Sequence, residues 1–533
     1  MKRHQNILRS ASCFVLACLF LGSVAPAAAD DSGDEVPLWG SLEAGPYEVG
    51  FMAVEEYDYG RTFRPKRDYF GTILPGERAR PIQVCIWYPA EMGGDAMPIV
   101  FSEYAFTPPE DISLYEFLSG IQNREIGFLH RILNNNQVAV LEVLGTDMKA
   151  VKGADNAEGM FPLLIYHSDF NSGIAESAVM CEYLASHGFV VATTHSFGLA
   201  AIRSEPSPAG LEAIVGDMEF IMVALRDLDF IDPNKLGVLG YRAGWLAALV
   251  LQMRNYNVDA VVGLETALAD PQHAEWVTGN SCYDVSRMAV PLLEICSGAR
   301  EDEDRAFTES LKYSNRYSLE FRDTRGLDFT TYGLLPAMFL PTGSNPPLSR
   351  MEAYHNVCRY VLNFFDAHLN GKEESLAYLA RSPSENGMGP DQVTVRRLEA
   401  HERPPTQDEF FAILEEGRVE TAGELYEKFR AIEPELILFP EAAMNLAGYR
   451  FLQRGMVSEA IALFRMNADT YPRSANCWDS LAEAYIAGGD NQHALECVEK
   501  VLEVLPQDTN IGDDLRDALE NNAQRYMDML RQE

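Results

Sequence analysis

Cysteine is scarce in this 533-residue chain: there are nine, and no two stand in C-x-x-C spacing. That absence argues against a zinc site or a disulfide-stapled fold. The seven beyond the first 29 residues, at 85, 181, 282, 296, 358, 477 and 497, are odd in number and scattered, and are expected to be mostly buried free thiols. Basic residues are also short, with 43 Lys and Arg against 79 Asp and Glu, a formal net charge of −36. A polyanion of that size repels nucleic acid and anionic lipid surfaces, so neither is expected as a partner. Past the N-terminus no apolar run is long enough to cross a membrane. No metal-ligand cluster, P-loop or dinucleotide fingerprint is present, so neither metal nor cofactor is expected. What remains is 47% hydrophobic and 23% charged, an ordinary globular composition in a chain too long for one core.

The N-terminus carries an export pattern. Lys2, Arg3 and Arg9 precede the apolar run "CFVLACLFLGSVA", and "APAAADD" offers an A-x-A cleavage site at Ala27 and Ala29. Residues 1–29 are therefore read as a signal peptide, which places the mature chain in the periplasm or outside the cell. Loss of its three basic residues takes the net charge to −39.

Residues 30–395 are read as an α/β domain. From about Pro46 to Leu379, apolar runs such as "IQVCIWYP", "PLLIYHS", "GFVVATTH", "KLGVLGY", "VDAVVGLE" and "PLLEICSG" alternate with helix-period stretches. Continuous Val/Ile/Leu strands between amphipathic helices imply a doubly wound, mostly parallel sheet covered on both faces. Residues 104–158 break the rhythm with polar, helical text and are read as an insertion near the top of the sheet. The Pro/Gly/Ser-rich "ARSPSENGMGPDQ" is read as a linker region. From residue 404 to 533 the text is helical and repeats. Ala460 and Ala494 lie 34 residues apart, as do Pro472 and Pro506. That period predicts tetratricopeptide-like helical repeats, whose stacked pairs form a surface for a protein or peptide partner.

The chemistry concentrates at "GVLGYRAGWLAAL". Gly240 and Gly244 frame the G-x-S-x-G nucleophile elbow, a sharp strand-to-helix turn, but its apex is Arg242. The segment "FPLLIYHSDFNSGIAESAVMCEYLASHGFVVATTHS", with "GPYEVGF", "RPIQVCIWYPAE" and "YVLNFFDAHLNG", resembles the platelet-activating-factor acetylhydrolase and dienelactone-hydrolase-like group of α/β-hydrolases. The resemblance covers roughly residues 44 to 380. It implies an α/β-hydrolase fold and a serine–histidine–acid ester hydrolysis. Carried over residue by residue, the nucleophile becomes Arg242 and the acid Glu265. The base falls on Gly326 or, one residue shifted, Leu327. The oxyanion donors become the N–H groups of Phe170 and Ala243. The family's H-G-x turn reads Ser168-Asp169-Phe170, so Asp169 stands where a glycine is usual and opposes the charge such a hole stabilises.

An arginine remains protonated and is no nucleophile. Arg242 is expected to fill the vacated site and pair with Glu265, with Asp169 or Asp328 as additional partners. The rival is an anion site at the start of the elbow helix. Other residues weighed as chemistry are His195 with Ser196, Ser281 with Cys282, His355 and the acidic run Glu301 to Asp304. Structural or solvated roles are expected for them. Three function classes follow: an exported, catalytically inactive hydrolase homologue that binds a small ligand in its vestigial pocket or a partner through its repeats; an ester or lipid hydrolase with a non-standard site; and a repeat-driven scaffold.

Overall fold

Val/Ile/Leu strands and amphipathic helices alternate through the first two thirds of the chain, and in the computed structural model they build one mixed sheet. The structure describes residues 37–63, 69–70, 79–91, 97–109, 112–199, 203–266, 272–298, 302–340, 348–389 and 391–531; the expected signal peptide lies outside the described residues. Among these there are twelve strands: β1 (Glu48–Thr62), β2 (Ala79–Glu91), β3 (Met97–Val100), β4 (Asp147–Lys152), β5 (Asp155–Asn156), β6 (Phe161–His167), β7 (Val190–Thr194), β8 (Ile231–Tyr241), β9 (Ala260–Leu264), β10 (Leu292–Ser297), β11 (Arg316–Phe321) and β12 (Val393–Leu398). They lie in the order β12-β11-β10-β9-β8-β6-β7-β2-β1-β4-β3, with β5 paired to β2. The six strands from β11 to β7 are parallel.

Successive residues of β6 show why these strands read as unbroken apolar runs. Leu164 and Tyr166 enter one core with the helices Ala178–Ser186 and Leu348–Leu369. Leu163 and Ile165 enter the other, with Pro208–Ala224 and Ala243–Arg254. Both faces are buried, so no polar alternation survives. From β6 the chain crosses to β7 on one side, then returns to β8 on the other side of β6. That reversal opens a crevice at the carboxyl ends of β6 and β8, where doubly wound sheets place their ligands.

The elbow stands at this crevice. A Cβ on Gly240 would lie 2.1 Å from the carbonyl carbon of Gly244, and one on Gly244 would lie 1.9 Å from the backbone oxygen of His167. Both neighbours are backbone and cannot swing aside. The two glycines thus let helix Ala243–Arg254 dock directly on β8 and β6. A tight strand-turn-helix at the top of a doubly wound sheet is the α/β-hydrolase arrangement.

Two expectations are corrected. The 104–158 segment is not helical throughout: after the helices Ile112–Ile132 and Gln137–Leu144 it forms β4 and β5, and β4 joins the sheet beside β1. Asp147 and Lys149 alternate with buried Met148 and Ala150, a two-residue pattern too short to stand out from polar text. The linker region leads straight into β12, which pairs antiparallel with β11, so the sheet runs to Leu398 rather than ending at 395. Its exposed Arg397 suits an edge strand. His355, read as a structural histidine, sits inside Leu348–Leu369.

Seven helices follow among the described residues, beginning with Gln407–Glu415 and ending with Asp513–Leu530. They share a core separate from those of the sheet. Ala460 and Ala494 are fully buried in it. Gly455 and Gly489, also 34 residues apart, end helices at φ +75° and +72°. Their lack of a Cβ makes that left-handed conformation inexpensive. Polar contacts tie the helical region to the sheet domain, with Arg287 to Asp408 at 2.9 Å and Lys312 to Glu433 at 2.7 Å. All seven described cysteines are free, and only Cys282 is part-exposed.

Gly244→Ala is expected to destabilise the sheet domain by at least about 1–3 kcal/mol through overpacking. Urea unfolding of the variant checks this, and wild-type stability would remove the steric account of the elbow. Deleting residues 404–533 is expected to leave a folded sheet domain, because the two regions keep separate cores. An insoluble truncation would show that the polar seam is essential.

Candidate functional site

Arg242 is held in place by its backbone. It follows β8 and precedes helix Ala243–Arg254 at φ +51°, ψ −105°. Its N–H donates to the Leu264 carbonyl at 2.9 Å, and its own carbonyl accepts from the Trp245 N–H at 3.0 Å. A positive φ at a non-glycine residue costs on the order of 1 kcal/mol and persists only where neighbours over-determine it. Arg242 thus occupies the strained apex of a strand-turn-helix elbow. Its side chain is 42% exposed.

The partner is Asp169, in the turn after β6. Arg242 Nε lies 3.3 Å from Asp169 Oδ2. The other carboxylate oxygen, Oδ1, accepts the Phe170 N–H at 2.8 Å and the Ala243 N–H in a longer contact of 3.4 Å. These are the two donors that sequence reading assigned to the oxyanion hole. Both N–H groups are thus engaged by the protein's own carboxylate. Burial raises the Asp169 pKa above the usual carboxylate range, and Arg242 and the two N–H donors oppose that rise. Burial also works against the charge on Arg242, but Asp169, Tyr241 and Glu265 together outweigh it and lift its pKa.

Glu265 is engaged differently from the expected ion pair. Its carboxylate accepts the Ser297 N–H at 3.1 Å and the Ser297 hydroxyl at 3.0 Å, and it acts on Arg242 as a weaker, more distant charge. Gly326 does meet it: a Cβ there would lie 2.9 Å from Glu265 Cγ. The acid-equivalent and base-equivalent positions are therefore adjacent, with no imidazole between them. Asp328 turns elsewhere, accepting the Arg325 N–H at 2.8 Å and lying 3.5 Å from Arg350 Nε.

Two cavities share the Asp169–Arg242 pair as lining. The smaller, about 270 Å³, is also lined by Phe170, Trp245, Glu265, His273 and Trp276. The larger, about 540 Å³, extends beneath the insertion helix to Arg124, Phe128 and Arg131 and includes Glu176, Leu327 and Tyr332. His273, Glu176 and the insertion arginines were not singled out in the sequence. Arg124, Phe128 and Arg131 follow an i, i+4, i+7 spacing that puts them on one helix face, a signal that was available. Among the described residues no group of three or more His, Cys, Asp and Glu side chains is arranged to hold a metal ion.

The remaining candidates sit outside this arrangement. His195 is buried, and desolvation pushes its pKa down to about 3. The Ser196 hydroxyl accepts the Asn171 N–H at 3.2 Å and so braces the oxyanion turn. His355 faces the Ser41 hydroxyl at 3.1 Å, and burial lowers its pKa to about 4. Cys282 lies 3.0 Å from Asn280 Oδ1, local to its own loop. Glu301 lies outside the described residues, and Asp302 opens a helix.

No family model matches the chain, and no curated protein matches it. Among solved structures it is similar to a ferulic acid esterase from Streptomyces cinnamoneus, at 20% sequence identity and a TM-score of 0.47, over 67% of this chain and 98% of that one. Likeness at that level transfers no substrate or residue role.

Glu176 supplies a pH test of the site. It accepts from Tyr166 at 3.0 Å and Ser172 at 2.8 Å, and burial, aided by the Asp169 charge, raises its pKa from 4.5 to about 8. The folded chain then keeps a proton that the unfolded chain releases, so this group's contribution to stability falls as pH rises through that interval. Glu176→Gln is expected to flatten the decline, read by urea unfolding near the two ends of the interval. Equal slopes in both proteins would contradict a neutral Glu176.

Proposed function

We propose that this chain is an exported α/β-hydrolase homologue of the platelet-activating-factor acetylhydrolase or dienelactone-hydrolase-like type that has given up acyl transfer and works by binding. One observation carries the reading: the Asp169 carboxylate accepts both oxyanion-hole N–H groups and pairs with Arg242 at the nucleophile position. A hole filled by a fixed negative charge opposes the charge that develops on a scissile carbonyl. Loss of the base at Gly326 points the same way, since residues of a catalytic unit fail together. The helical region beyond residue 404 fits tetratricopeptide-like repeats that contact a protein or peptide partner, supported by the 34-residue recurrence of buried alanines and turn glycines.

A second reading is a hydrolase with a non-standard site. His273 favours it, because its imidazole lines the smaller cavity beside Asp169 and Trp276. Against it stands the absence of a hydroxyl or thiol at the apex.

The purified mature protein is expected to hydrolyse short-chain p-nitrophenyl esters no faster than buffer and heat-killed controls. Arg242→Ser alone is expected to restore nothing, because Asp169 still fills the hole and no imidazole stands at Gly326. Turnover that survives purification and disappears in His273→Ala would establish the second reading instead.

A further inference from the structure

We propose that the larger cavity binds a small organic carboxylate with an apolar body, gripped by Arg124 and Arg131 from the insertion helix and by Arg203 from the segment after β7. The proposal rests on the binding reading above and names the ligand class.

Charge is the first argument. In a chain of net charge −36, four of its 43 basic residues converge on one cavity of about 540 Å³: Arg124, Arg131, Arg203 and Arg242. Arg124 and Arg131 are two turns apart on helix Ile112–Ile132, so they share a face with Phe128 between them. Arg124 donates to the Ser172 carbonyl at 3.3 Å and lies 3.8 Å from Glu125, which positions its head beside the oxyanion turn. The Arg131 guanidinium lies 5.3 Å from the Phe128 ring, and both Arg131 and Arg203 are solvent-exposed.

The acids do not cancel this charge. Asp169 is engaged by Arg242 and two N–H groups. Glu125 is buried beside Arg124 and accepts the Tyr332 hydroxyl. Glu176 is buried between Tyr166 and Ser172, and desolvation keeps it protonated near neutral pH. Four arginines thus face at most two ionised carboxylates, an excess of at least two positive charges. A carboxylate head answers part of that excess. Guanidinium geometry suits a carboxylate, which it can hold through paired N–H donors.

Apolar lining supplies the other half of the ligand. Phe128 and Tyr332 have ring centroids 4.9 Å apart, and Leu327 stands with them on the wall. The volume lies within the usual range for a small organic guest, about 300–1,000 Å³. Gly173 shapes the floor: a Cβ there would lie 2.6 Å from Glu125 Cδ, so its absence lets the insertion helix close over the turn.

The test is isothermal titration calorimetry of the full mature chain with hexanoate, its neutral analogue hexanamide, and hexyl phosphate, with p-nitrophenyl hexanoate assayed in parallel for turnover. Hexanoate is expected to bind about tenfold or more tighter than the amide, the scale of a charge-assisted hydrogen bond. The double variant Arg131→Gln, Arg203→Gln is expected to lose about that factor with an unchanged thermal midpoint. Arg254→Gln, whose guanidinium is held by Glu212 on another surface, is expected to lose none. Hexanoate binding no tighter than the amide, no binding at millimolar concentration, or tighter binding of the phosphate would each overturn the carboxylate site. Arginine-dependent hexanoate binding together with ester turnover would support the site while overturning the binding-only reading.

Discussion

The contact on which the site depends is backbone against backbone. Gly244 touches the His167 carbonyl and Gly240 touches Gly244, so the helix after β8 starts almost in contact with two strands. That approach forces the residue between them into a positive φ and turns its side chain out over the crevice. It also brings the Ala243 N–H within reach of the turn after β6. Whatever side chain stands at the apex, this geometry holds two amide donors and one presented side chain together.

Electrostatics fills that scaffold. Two N–H donors and a helix start make a local surplus of positive potential. Arg242 adds a full charge, and Asp169 answers both. The pair is partly exposed, with side chains 42% and 28% accessible, so its worth as an ion pair is modest, about 1 kcal/mol or less. Its effect on chemistry is larger than its effect on stability, because it stands where a developing oxyanion would have to stand.

The apolar runs of β6 to β10 were legible because strands buried on both faces carry unbroken Val, Ile and Leu. β4 and β12 were not, since one is a short alternation within polar text and the other an arginine-bearing edge. At the site, the elbow glycines, the juxtaposed Phe170 and Ala243 N–H groups and the closeness of Glu265 to Gly326 followed from motif positions. Asp169 was legible only as an additional partner of Arg242, behind Glu265. Choosing Asp169 over Glu265 depends on where Ser297 stands, and β10 is remote from both in sequence. The arginines of the insertion were hidden for a related reason. Nothing in a local pattern tells which way an inserted helix folds back over a sheet.

Asp169 also has the properties of a tethered competitor. Its carboxylate is one residue from the Phe170 amide that it occupies, so its effective concentration at the hole is that of a very short linker, about millimolar or above. A free anion present at lower concentration must bind correspondingly more tightly to displace it. Any solute reaching the two amides would compete with a side chain encoded in the same turn. Removing that side chain would widen the range of anions admitted before it changed anything else about the fold.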